Sequence, residues 1–274
     1  STTTRSRRRS LTFRRRRLFP RAECHGPEIG IIEMQGRRSD MQDTAVTVTN
    51  FCGAGYRLLA LFDGHGGADT SRVYVLMFPA ILAAGSIAQT PEETLVKHND
   101  VRARRNSRQD VIRTGLTDGS VANVVLDTPF KYITANCGDS RALLIRENAL
   151  PQLSFDHKPT QPDEYARLRA VGGFIDHAGR LNGGLAVSRA IGDVDCQPAI
   201  SPVPDVRFYD RVAGDIAVVV ACDGVWDVLT TREVCEIVLM HAALPAHRIA
   251  AIIRDTAFAR NSFDNTTCIV CKFL

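Results

Sequence analysis

The chain lacks any apolar run near the ~18 residues that a membrane helix needs. The nearest candidate, Val73 to Ala88, is interrupted by Pro79 and Gly85, which argues against a membrane span. There is no short hydrophobic segment of signal-peptide type near the N-terminus, and no internal repeat of solenoid length. Cysteine is sparse, at eight in 274 residues, and mostly sits inside apolar runs. That usage argues against a disulfide scaffold and fits reduced core thiols of an intracellular protein. Cys268 and Cys271 form one C-x-x-C, but no second pair stands at zinc-finger spacing. Structural zinc needs four ligands, so core packing is the better reading of these two.

Acid is missing from residues 1–22, which carry nine arginines. Taking those nine charges from the net +4 leaves −5 for residues 23–274. The positive balance thus belongs to the tail, which argues against a nucleic-acid role for the globular part. The tail cannot bury enough apolar surface to fold alone and reads as a basic, disordered segment. Nuclear signals and mitochondrial transit peptides are also arginine-rich, so cytoplasm, nucleus and mitochondrion all stay open. The chain opens on Ser1, as a processed chain or a fragment would.

What is present is a core for a large domain, with 45% hydrophobic residues. Strand-like runs come first: IGIIEMQ, TAVTVTN and YRLLALF. A helix is expected from Ala68 towards Pro79, and residues 90–118, with five arginines and a histidine, read as mixed helix and loop. VANVVL, KYITANC and RALLIR follow at short separations, which suits hairpins of an antiparallel sheet. Pro162 opens a helix that Gly172-Gly173 ends. IAVVVAC is a further strand, Thr230 with Glu233 reads as a capping box, Pro245 starts a helix to about Phe258, and TTCIVCKFL closes the chain. Strands and helices cluster rather than alternate, so the class is α+β.

Two segments share one pattern. LLALFDG ends at Asp63-Gly64 and VVVACDG at Asp223-Gly224, each placing a carboxylate at the tip of an apolar strand. Asp264 precedes the last strand, and Asp43 precedes TAVTVT. One Asp-Gly is ordinarily a turn. Four such acids would repel one another unless cations neutralise them. Carboxylates without thiolate or histidine clusters suit Mg²⁺ or Mn²⁺. Gly64 would let its own carbonyl reach an ion. Such a pair of ions activates water for attack on a phosphoryl group. Arg38 could hold the phosphate by a bidentate fork, and His65, beside the acid, could protonate the leaving group.

These residues resemble the metal-dependent protein phosphatases of type 2C. The matching segments run in family order: MQGRRSDMQD (34–43), LFDGHGG (61–67), ANCGDSR (135–141), DHKP (156–159), LNGGLAVSRAIGD (181–193), ACDGVWDV (221–228) and DNTT (264–267). The resemblance covers roughly residues 30–274 and defines a catalytic domain of residues 23–274 after the tail. It implies a four-layer α-β-β-α sandwich of two antiparallel sheets. It implies hydrolysis of phosphoserine and phosphothreonine proteins by a dimetal-activated water, with no phosphoenzyme. Asp63 would bridge two Mg²⁺ or Mn²⁺ ions, with the Gly64 carbonyl, Asp223 and Asp264 completing the ligands. Asp43 would hold the waters around the ions, and Asp139 matches the position of a weaker third metal. Arg38 would bind phosphate and His65 would be the general acid. Arg141, Trp226 and Asp227 would pack or hydrogen-bond nearby. The phosphoprotein partner needs no nucleic acid, and a monomer is expected.

The chain departs from the family pattern at three single positions, and its arginine-rich region between Gly67 and Gly119 matches the family poorly. Val121 stands where a threonine is usual, Gln42 where an acid is frequent, and Val203 where a glutamate is usual. None is an expected metal ligand. An inactive relative that only binds a partner is the rival reading, but such relatives lose the acids, and all are present here.

Overall fold

The computed structural model describes residues 27–52, 55–84, 117–147 and 149–273. The readings of residues 1–22, and of 90–118 as far as 116, lie outside them.

Alternating burial builds the strands. In β3 (Tyr56–His65), Leu58, Ala60 and Phe62 face one apolar cluster while Leu59 and Leu61 face another. Both faces are covered, so an apolar run can continue without polar alternation. In β9 (Asp215–Ala221), Val218 and Val220 share the cluster of Leu59 and Leu61, while Ala217 and Val219 face a third. The shared cluster is the seam between two sheets. One sheet has the order β1 (Glu28–Met34), β10 (Thr266–Lys272), β9, β6 (Arg141–Arg146). The other runs β2 (Thr44–Phe51), β3, β4 (Gly119–Asp127), β5 (Lys131–Cys137), β8 (Asp205–Asp210), with the two-residue β7 (Ile191–Gly192) also on β4. Every strand pairing in both sheets is antiparallel.

Helices cover the two outer faces. Helix α1 (Asp69–Ala84) lies on β3 and β2. Helix α2 (Pro162–Ala170) opens on Pro162 and closes where the Gly173 N–H donates to the Leu168 carbonyl, as the glycine pair predicts. A short α3 (Asp223–Trp226) and α4 (Thr231–Met240) follow β9. Thr230 and Glu233 form the expected capping box of α4. Helix α5 (Ala246–Ala259) buries Ala246, Ile249, Ala250, Ile253 and Ala257, the stripe of a helix on a flat surface. It packs on β1 and β10, where a side chain at Gly30 would overlap the His247 backbone. The result is the expected α-β-β-α sandwich.

Two expectations need correction. Helix α1 does not stop at Pro79 but runs on to Ala84. The proline forfeits one hydrogen bond, and Phe78 and Leu82, both buried against the sheet, hold the helix through it. β5 and β6 are not a hairpin. β5 pairs with β4 and β8, and β6 pairs with β9 in the other sheet. Gly138, Asp139 and Ser140 make the crossing, with Gly138 at φ 120°, where Val121 leaves no room for a side chain.

The free thiols agree with the core reading: Cys137, Cys222, Cys235, Cys268 and Cys271 are buried, Cys196 is half-buried and Cys52 is exposed. Cys268 faces the helices and Cys271 the seam, so the C-x-x-C cannot close on one ion. Among the described residues no helix is long and apolar enough to cross a membrane.

Candidate metal centre and active site

The strand parity that buries Leu59 and Leu61 in the seam continues to Asp63. Its carboxylate therefore stands at the end of the inter-sheet core. Asp43 continues the parity of Ala45, which packs on the same seam. Asp139 lies on the crossing from one sheet to the other, and Asp223 begins α3 directly after β9. Carboxylate oxygens of Asp63, Asp139 and Asp223 all lie within 4.8 Å of one another. Like charges this close need neutralising. Burial, and then the neighbouring carboxylates, hold Asp63 and Asp223 well above the usual carboxylate range. Burial pushes Asp43 up to about 6, and its Oδ2 has no hydrogen-bond partner among the described residues. Asp139 is also raised by burial, although Lys158 pairs with it. An oxygen-only, charge-rich cluster of this kind fits hard divalent cations. Gly64 fits the same purpose: a Cβ there would stand 2.5 Å from the Gln42 carbonyl oxygen, so only glycine allows this approach.

Asp264 stands beside this trio rather than within it. Its charge raises both Asp63 and Asp223, yet its Oδ2 accepts from Arg38 Nη2 at 2.5 Å. The Arg38 side chain is 58% exposed and that of Asp264 31%. The pairing raises the Arg38 guanidinium further, through the hydrogen bond first. Two adjacent arginines compete for this place in the sequence, and the structure separates them. Arg37 lies over the Phe258 ring at 4.3 Å and the Phe263 ring at 5.0 Å, and donates to the Ser262 carbonyl. Only Arg38 is left to face the acids.

Three residues of the site escape a sequence reading. Asn265 Nδ2 donates to the carbonyls of Gln35 and Asp40, and its Oδ1 accepts from the Gln42 N–H at 2.8 Å. It thereby ties the loop bearing Arg38 to the turn bearing Asp264. Lys158, in DHKP, pairs with Asp139. Asp193 Oδ2 lies 2.6 Å from His65 Nε2. All three sit inside the quoted motifs, but their contacts span from 19 to 230 positions, which local patterns do not encode.

Residues 28–266 match the family model for protein phosphatase 2C. The chain belongs to the protein phosphatase 2C family. The family is one of metal-dependent serine/threonine phosphatases, in keeping with the acidic cluster. The chain is 32% identical to protein phosphatase 2C 37 of Arabidopsis thaliana, over 89% of this chain and 71% of that protein. It is 35% identical to probable protein phosphatase 2C 78 of the same plant, over 78% of this chain and 57% of that one. Against other curated relatives it spans 54–65% of their length. A solved serine-threonine phosphatase 2C from Toxoplasma gondii superposes with a TM-score of 0.79 at 19% identity, covering 92% of this chain and 96% of that one, a likeness of fold.

In this protein phosphatase 2C the remaining motif residues are scaffold. Arg141 pairs with Asp156 through two hydrogen bonds and lies 5.1 Å from the Trp226 ring. Trp226 Nε1 donates to the Ala221 carbonyl. Val121 is buried in an apolar cluster with Leu168, Leu181 and Val187, so the departure from threonine joins β4 to α2 and the segment after it instead of meeting a polar partner. Arg189 donates to Glu164 on α2 and to the Val203 carbonyl, so position 203 serves it through backbone alone.

Proposed function

We propose that this chain is a protein serine/threonine phosphatase, hydrolysing phosphoserine and phosphothreonine in protein substrates. The observation that carries the reading is the meeting of Asp63, Asp139 and Asp223 within 4.8 Å at the seam, with the Arg38–Asp264 pair beside them. The names of its relatives support the same chemistry.

Two divalent ions, Mg²⁺ or Mn²⁺, supply when bound the positive charge that offsets these acids and a water acidic enough to attack phosphorus. Asp63 would bridge them, with the Gly64 carbonyl, Asp223 and Asp264 as further ligands. Asp43 would orient the surrounding waters from its buried position, and Asp139 would serve a weaker third ion, in exchange for Lys158. Arg38 turns its fork from Asp264 to the phosphate oxygens of the substrate. That contact aligns phosphorus for in-line attack and offsets charge on the equatorial oxygens. Hydrolysis would form one phosphorus–oxygen bond from water and break the bond to the serine or threonine oxygen. His65 gives the departing oxygen its proton. The products are inorganic phosphate and the free hydroxyl. The proposed chemistry needs no cysteine nucleophile, and burial raises the Cys222 thiol, beside Asp223, well above its ordinary value.

The test is hydrolysis of a phosphothreonine peptide with added Mn²⁺ or Mg²⁺. Activity should need the ion, and Asp63→Asn or Asp223→Asn should lower kcat by about 10³-fold or more. Activity that survives excess chelator would refute the dimetal reading.

A further inference from the structure

Three strands converge beneath His65. In the β3–β4 register His65 lies opposite Gly119, and Gly119 lies opposite Gly192 on β7. Asp193, next in the chain, is thereby brought to the imidazole. A Cβ on Gly119 would overlap both Asp193 Oδ2 and His65 Nε2, so the pair can form only over a glycine. Asp193 has φ 46°, in the left-handed region that residues with side chains seldom enter. It also stands before the 3₁₀ turn Val194–Cys196, where an aspartate ordinarily caps the turn's free N–H groups. Its side chain makes no such cap and is directed to His65 instead.

We propose that Asp193 is a positioning residue for His65, one that fixes the rotation and tautomer of the imidazole. A carboxylate only accepts hydrogen bonds, so Nε2 carries the hydrogen of this pair. Nδ1 has no hydrogen-bond partner among the described residues and is the nitrogen left to serve the departing oxygen. Without Asp193 the ring could rotate, or present the wrong nitrogen. The inference rests on reading His65 as the general acid.

The test compares Asp193→Asn, His65→Ala and the double variant, with Mn²⁺ saturating, on two substrates. A phosphothreonine peptide has a poor leaving group that needs a proton, whereas p-nitrophenyl phosphate has a good one that does not. Asparagine keeps the size of the side chain and tolerates the left-handed backbone. Asp193→Asn should lower kcat on the peptide about 10–100-fold, leave KM within about twofold, and change the aryl ester by less than about threefold. It should add no further loss in the His65→Ala background, since the two residues act as a unit. Asp193→Ser, which cannot reach Nε2, should repeat the pattern. Equal losses on both substrates, or an added loss in the double variant, would mark a structural role and overturn the inference with the acid role of His65 intact. If His65→Ala itself lost no more on the peptide than on the aryl ester, the acid reading would fall, and this inference with it.

Discussion

Single side chains set the chemistry, and neighbours in sequence part company in space. Arg37 is fixed between two phenylalanine rings while Arg38 meets Asp264. Arg38 is mostly exposed, so its pair with Asp264 adds little stability. On the proposed mechanism its value lies in binding an anion. Arg38→Ala should lower kcat/KM for a phosphopeptide about 10–100-fold and weaken inhibition by inorganic phosphate about tenfold, with the melting temperature unchanged. Inhibition constants for phosphate, measured beside wild type, check this. Unaltered phosphate inhibition would place the anion elsewhere.

At the scale of elements, α2 is tied to the segment bearing Arg189 by one acid. Glu164 is buried and takes hydrogen bonds from Arg189 and Arg167. Burial pushes its carboxyl up, but the two arginines outweigh burial and hold it at about 2, below the ordinary 4.5. The folded form thus favours the carboxylate. Its contribution to stability is present above about pH 4.5 and is lost as pH falls towards 2. Glu164→Gln should destabilise the protein by about 3 kcal/mol at pH 7, because two half-buried guanidinium groups lose their counter-charge. Guanidinium titrations from pH 7 to pH 3 should show the gap to wild type beginning to close below pH 4.5. The same scale shows what the sequence could and could not tell. Caps and stops were legible at Thr230, Pro162 and Gly172-Gly173, because each depends on residues within one helical turn. The passage of Gly138–Ser140 from one sheet to the other was not legible, because short spacing suits a hairpin and a crossing equally.

For the whole molecule, the site is a joint of two sheets. Asp63 comes from one, Asp223 follows a strand of the other, and Asp139 lies on the link between them. Ions held there would clamp both sheets, so that metal binding and folding would be coupled. At 100 times its dissociation constant, Mn²⁺ should stabilise the fold by about 2.7 kcal/mol, raising the melting temperature by roughly 5–10 °C. Asp63→Asn should not respond to the ion. In chelator it should melt slightly above wild type, since one of the mutually repelling acids is gone. Thermal scans with and without Mn²⁺ decide both points.

By itself the sequence determined the residue types and their place on each strand. Asp63 and Asp223 were legible at the tips of apolar strands, and an oxygen-only set of acids pointed to a hard cation, but with both faces of β3 apolar the parity facing the seam was not. Only the tertiary structure decided which acids meet, that Asp264 is held by Arg38 and Asp139 by Lys158, and that His65 is held by Asp193. Those contacts close over 19 to 226 positions. They depend on the packing of one sheet on the other, which no local pattern of residues records.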